Sequence, residues 1–450
     1  MDTKNNFTRR QFVSTTSKAV AGMVALQNIP IYSSLRQPKK INRLAMVGTG
    51  HRGADMWGKS VVKNYSDYVV FVGLCDNNPG RLEFVKNHMG VSCPTFTDFE
   101  TMINETKPDT VIVTTPDFTH DQFIIKAMEL GCNVIAEKPL TTDENKLRNI
   151  LEAQRKYNKN VTVTFNYRYS PHRAKMKELL IQERVGKITS VDFHWYLDVY
   201  HGSDYFRRWH RKREYSGTLL VHKSTHHFDL LNWWLNSEPE IVSAFGSLEF
   251  YGKNNSFRHT NCRGCPHKEN CKFFWDIYEN KRLVNLYVNN EQHDGYLRDG
   301  CVWKEDINIF DKMAVQIKYK NDVTVSYSLT TYSTYEGYRI AFNGTKGRIE
   351  MWIHERQPWP KDEFDEIIVT DNFGQMESIK IPLIEENHGG GDILMKDMIF
   401  KENIPDPLNQ KADLKDGALS VLVGIAARTS IDTGKPVKIS DLTNVEVRTH

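Results

Sequence analysis

Between positions 44 and 76 the chain places an apolar run, a glycine-rich turn and a second apolar run in an order that few folds can use. The run 44–47 enters Gly48-Thr49-Gly50-His51-Arg52-Gly53, and the run 69–74 ends at Asp76-Asn77. Gly48 permits a tight turn, Gly50 lets backbone approach a diphosphate, and Gly53 lets the following helix pack closely. The helix N-terminus adds N–H donors and a positive dipole for the phosphates. Asp76 falls 23 residues after Gly53, where a carboxylate can accept ribose hydroxyls. Strand, glycines, helix and acid in this order predict dinucleotide binding through Gly48, Gly50, His51, Arg52, Gly53, Asp76 and Asn77. Asn77 follows the acid and no arginine stands beside it to hold a 2′-phosphate, so NAD is favoured over NADP.

The alternation continues to about residue 165. Strands are predicted at 109–114, 133–136 and 161–164, with helices at 119–130 and 143–157. Such alternation with short connections makes a doubly wound parallel sheet, a Rossmann domain over 41–165. After 170 the period changes. A helix at 171–183 leads into alternating runs at 188–196, 241–250, 314–319, 323–332, 338–342 and 348–352, with helices at 224–235, 392–401 and 412–433. These predict an α+β domain over 166–450 with an open, mostly antiparallel sheet. The fold class is therefore α/β followed by α+β. Residues 251–312 fit neither period and read as a cysteine-rich insertion pinned by its cysteines.

Net charge is +3 with mixed signs, so nothing argues for a nucleic-acid stripe. No run approaches the roughly 20 apolar residues of a membrane span. Residues 1–36 are set apart as a leader. Thr8-Arg9-Arg10-Gln11-Phe12-Val13 resembles a twin-arginine export motif, which places the protein in the periplasm. A disordered basic tail is the alternative, and the protein is then cytoplasmic.

Of seven cysteines, Cys75, Cys93 and Cys132 lie in or beside apolar runs, as small buried hydrophobes do. Cys262, Cys265 and Cys271 form C-x2-C-x5-C, and Cys301 follows after 29 intervening residues. Four thiolates suit a structural zinc ion. An iron–sulfur cluster and two disulfides are the rivals.

The third strand runs into Thr115, Pro116, Asp117 and His120, and the fourth ends at Glu137-Lys138-Pro139. Both stand at carboxyl ends of parallel strands, where open α/β sheets bind ligands. With TTPDFTH, AEKPL, the NYRYSP at 166–171 and the helix holding His226 and Asp229, the chain resembles the Gfo/Idh/MocA oxidoreductases, the glucose–fructose oxidoreductase and inositol dehydrogenase group. The likeness covers roughly residues 41–350, with a looser match to the end. It implies hydride transfer between a nicotinamide and a carbinol carbon of a sugar or cyclitol, and an open sheet that mediates homo-oligomers. Lys138 would then hold the reacting hydroxyl, His226 would be general acid/base, Asn166 would stand with the cofactor groups, and Arg168 and Tyr169 with the substrate.

One segment departs from that pattern. The family usually has an acid four residues before the catalytic histidine; this chain has His222, followed by Lys223. Three readings stay open: acid/base and substrate work by His222, Lys223, His226, His227 and Asp229; a metal held by His222, His226 and Asp229; or structural histidines. Trp209 lies in an aromatic cluster suited to a sugar face or to the core. His388, before three glycines and Asp392, opens a helix as a turn or as a mobile loop reaching substrate. An exported NAD enzyme exchanges cofactor poorly, so it regenerates NAD in place with a second substrate or runs a redox-neutral cycle, as the family's NAD-dependent glycosidases do. A non-catalytic sugar-binding protein is the third class.

Overall fold

The computed structural model describes residues 41–384 and 387–445, with only the backbone of Asn387 and His388. The twin-arginine motif lies outside the described residues.

The first sheet has six strands: β1 (Asn42–Val47), β2 (Val69–Cys75), β3 (Thr95–Phe96), β4 (Thr110–Val113), β5 (Asn133–Ala136) and β6 (Val161–Val163). They pair in parallel in the order β3-β2-β1-β4-β5-β6. All four residues of β4 are buried, as a strand covered by helices on both faces must be. Helix ends follow local chemistry. Asn78 and Asp98 accept the backbone N–H groups of Arg81 and Thr101 at the starts of Pro79–Met89 and Phe99–Thr106. Asp143 caps Glu144–Tyr157 in the same way.

The second sheet has nine strands: β7 (Ile188–Asp198), β8 (Pro239–Ser247), β9 (Lys312–Tyr319), β10 (Thr324–Ser333), β11 (Glu336–Gly344), β12 (Gly347–Arg356), β13 (Phe364–Asp371), β14 (Met376–Pro382) and β15 (Val437–Lys438). Their order is β14-β13-β12-β11-β7-β10-β9-β8-β15, antiparallel except for the β7–β10 pair. β9 alternates exposed and buried residues along its length, so one face meets solvent. The helices Ser224–Leu235 and Leu414–Thr433 pack together, and the second also lies on β8. One continuous apolar core joins Ala45, Val113 and Val163 of the first sheet to Phe193 and Tyr327 of the second and to Val421. The sequence missed β3, β13, β14 and β15. β14 is mostly exposed, so its alternation carries little apolar signal.

Buried carboxylates help to hold the insertion. Buried Asp311 accepts the backbone N–H groups of Glu249 (2.9 Å), Phe250 (2.6 Å) and Tyr251 (3.0 Å) at its base. Buried Asp299 takes the backbone N–H of Arg263 (3.1 Å) and both ends of its guanidinium (3.1 and 3.0 Å). The four cysteines line one small cavity with Phe257, Phe273 and Trp303, yet all remain unlinked. No group of three or more possible ligands converges on a metal position among the described residues. Arg207 Nη1 instead donates to Cys262 Sγ at 3.1 Å, and burial raises that thiol's pKa. The zinc expectation finds no support in this geometry.

Candidate active site

The glycine loop connects β1 to the helix at 53–65. Gly48 has φ +92°, and a Cβ there would lie 2.6 Å from Thr114 C; one at Gly53 would lie 2.4 Å from Gly48 O. At Gly50 a Cβ would meet only Tyr287 Oη, at 3.4 Å. Backbone is thus forced close where the fold needs it and left open on the phosphate side, as a dinucleotide requires. Asp76 ties this loop to β2: Oδ2 accepts Thr49 N–H (2.7 Å) and Thr49 Oγ1–H (2.9 Å). Its Oδ1 accepts Asn78 N–H (2.9 Å) and Arg81 Nη2 (3.2 Å). The sequence found no arginine beside Asp76; the helix turn brings Arg81 there and against Asn77 Oδ1 (3.4 Å).

His51 and Arg52 are engaged by protein. His51 N–H donates to Tyr287 Oη (2.8 Å), and Arg282 stands 2.6 Å from its Nδ1. Burial, then Arg282, pushes the His51 pKa down to about 4. Arg52 pairs with Glu137 at 2.7 Å, and Trp57 Nε1 donates to the same oxygen. Burial alone would raise the Glu137 carboxyl, but Arg52 holds it below the usual range. Pro116 opens the turn Asp117–Thr119. His120 spans Thr115 O (2.9 Å) and Pro139 O (2.8 Å), so it braces two loops rather than facing the cleft. Asn166 Nδ2 donates to Asp392 Oδ1 at 2.6 Å, and a Cβ at Gly391 would strike Asn166 O. The glycine run is therefore a close contact; the side chain of His388 lies outside the described residues.

Lys138 is half-buried at the end of β5, its Nζ donating to His222 O at 3.3 Å. Burial lowers its pKa to about 8 against the pull of Asp117 and Glu137. His222 Nδ1 lies 2.5 Å from Asp117 Oδ2. Burial, then Lys138, drives the His222 pKa well below its ordinary value, while burial raises Asp117. The rings of His210, Tyr205 and Trp209 stand edge-on to His222 with centroids at 4.2, 5.3 and 5.8 Å. Lys223 Nζ donates to Tyr167 Oη at 2.9 Å, and Tyr167 stacks on His226 at 4.2 Å. Tyr205 continues outward through His201 Nε2 (2.9 Å), whose Nδ1 meets Glu336 at 2.7 Å.

Four predicted substrate residues sit elsewhere. Arg168 and Asp229 form a bidentate pair at 2.9 and 2.6 Å, and Arg168 also reaches Asp416 at 3.1 Å. They saturate each other, which also removes Asp229 from any metal site with His222 and His226. His227 is fully buried, stacked on Trp195 at 3.9 Å and bonded to Tyr327 Oη at 2.7 Å, a core histidine. Tyr169 is buried in the core around Trp57 and Tyr65. Sequence reasoning gave no role to Asp117, Tyr167 or Glu336, whereas Tyr205 and His210 belong to the aromatic cluster it places around Trp209. Asp117 was visible in TTPDFTH, but its partner is 105 positions away.

Residues 42–165 match the model of the oxidoreductase family, NAD-binding Rossmann fold, and residues 177–439 match that family's C-terminal alpha/beta domain. The YteT protein of Bacillus subtilis (strain 168) is 36% identical over 425 residues, 89% of this chain and 99% of that protein. The inositol 2-dehydrogenase/D-chiro-inositol 3-dehydrogenase of Lactiplantibacillus plantarum is 22% identical over 207 residues, 46% of this chain and 55% of that protein. The crystal structure of the WlbA dehydrogenase from Bordetella pertussis, in complex with NADH and UDP-GlcNAcA, shares the fold: TM-score 0.60, 17% identity, 89% of this chain and 99% of that one. With its glycine loop and both halves matched, the chain belongs to the Gfo/Idh/MocA family of NAD-binding oxidoreductases.

Proposed function

We propose that the protein oxidises a carbinol carbon of a sugar, cyclitol or glycoside, with Lys138 and the Asp117–His222 pair as the reacting groups. The observation that carries this reading is the 2.5 Å contact between His222 Nδ1 and Asp117 beside Lys138. A carbinol loses a proton as it loses hydride, so a base must reach its oxygen. The nicotinamide, when bound, takes up the hydride. With Nδ1–H donated to Asp117, neutral His222 presents Nε2 as that base. Lys138, cationic below about pH 8, stabilises the developing alkoxide. Asp117 thus supplies, from another strand end, the acid that the family pattern places at position 222. Trp209, partly exposed and stacked on His210 at 3.6 Å, offers a ring face to a sugar.

A redox-neutral glycoside cleavage is the second reading, favoured by a further set of titratable groups, Lys223, Tyr167 and His226, behind the first. Export through the motif at 8–13 belongs to the same proposal, since a secreted enzyme must keep its nucleotide.

The test uses protein purified without added nucleotide and a panel of sugars, cyclitols and glycosides. Absorbance near 340 nm and product mass are followed together. Persistent NADH with an oxidised product supports the first reading. Cleavage without net NADH selects the second. If no compound yields either, with NAD supplied, the assignment of Lys138 and His222 to catalysis fails.

A further inference from the structure

The insertion is seated on the cofactor loop. Tyr287 Oη takes the N–H of His51, and Arg282 Nη1 reaches Asp55 at 2.7 Å. Asn78 Nδ2 donates to Asn290 O at 2.9 Å. A Cβ at Gly80 would lie 1.9 Å from Asn290 Oδ1, so glycine at this position is what admits the insertion. Asp294 then reaches Arg81 Nη2 at 2.5 Å, the same nitrogen that meets Asp76 at 3.2 Å. All three side chains are largely buried, with 16%, 11% and 8% exposed for Asp294, Arg81 and Asp76.

Arg81 stands where the adenosine ribose is expected, at the end of β2, and an arginine there ordinarily welcomes a 2′-phosphate. Here one guanidinium is shared by two carboxylates, so the local charge is net negative. We propose that Asp294, delivered by the cysteine-rich insertion, sets the preference for NAD over NADP by holding Arg81 and adding a negative charge beside Asp76. Without the insertion, the Rossmann half alone would present Arg81 to a phosphate. This rests on the reading of residues 44–76 as the nucleotide site, and the experiment separates the two.

Equilibrium binding of NADH and NADPH to the full chain, read by nucleotide fluorescence, tests it. The wild type binds NADH and discriminates against NADPH. Asp294→Asn removes the charge at constant size; NADPH affinity rises about tenfold while NADH affinity stays within about threefold. Adding Arg81→Gln to that variant abolishes the gain, because the freed guanidinium supplies it. An unchanged NADPH/NADH ratio in Asp294→Asn overturns the proposal while leaving the nucleotide site standing. Absence of binding by the wild type to either nucleotide overturns both. Should Asp294→Asn be insoluble, Arg81→Gln alone decides: NADPH affinity stays within about twofold if Arg81 is already committed, and a tenfold fall shows it free and sinks the idea.

Discussion

Two buried charge clusters stand on the helix Ser224–Leu235 and the segment just before it, and they differ in one respect. Around Asp229 every strong group is matched: Arg168 spends its guanidinium on Asp229, Asp416 and the Asn409 carbonyl. Around His222 the matching among the described residues is incomplete, with one ring nitrogen committed to Asp117 and a Lys138 ammonium whose hydrogen bond goes to a backbone carbonyl. A saturated cluster fixes architecture; an under-matched one has capacity left for a ligand. His222 and Asp229 stand seven positions apart in the chain.

That contrast breaks first at His222. His222→Gln and Asp117→Asn should each lower kcat/KM by about a hundred- to ten-thousandfold with little change in thermal midpoint. Equal losses of activity and stability would show that the pair is only a strut. The opposite pattern belongs to Asp229→Asn, which leaves buried Arg168 poorly matched. Denaturant unfolding should report a loss of about 3–5 kcal/mol. A change below about 1 kcal/mol would mean that Asp416 suffices for Arg168.

The pH profile sharpens the comparison with a smaller effect. The Lys138 pKa is lowered to about 8, so its cationic form dominates below that pH and is lost above it. Activity should fall as pH rises through 8, by about tenfold per unit at the steepest. Lys138→Arg, cationic throughout, should retain measurable activity and lose this limb. A limb that survives the substitution belongs to another group.

Much of this was legible in sequence because it depends on short-range pattern. The glycines at 48, 50 and 53, the strand–helix alternation to 165 and the apolar period of 224–235 each correspond to observed elements. The site was less legible, since its assignments depend on which distant group a side chain meets. His222 and His227 stand five positions apart in one histidine-rich stretch, yet one meets Asp117 and the other stacks in the core on Trp195. No local period separates them. Arg81 likewise lay outside the window that was read beside Asp76, although one turn of helix brings it within reach. Asp294, 218 positions after Asp76, left no local trace at all.

The outer strand of the first sheet, β6, carries a consequence of its own. Its edge is closed by residues 412–413: Val163 N–H donates to Ala412 O at 3.1 Å, and Thr162 bridges to Asp413. Gly417 packs so tightly on Val163 that a Cβ would lie 2.7 Å from its methyl group. A ribosome therefore finishes the nucleotide-binding half only when it has also made residues 412–417. Until residue 417 leaves the exit tunnel, β6 offers an open edge to any passing strand. Translation arrested between the two halves yields a sticky intermediate rather than a small working module.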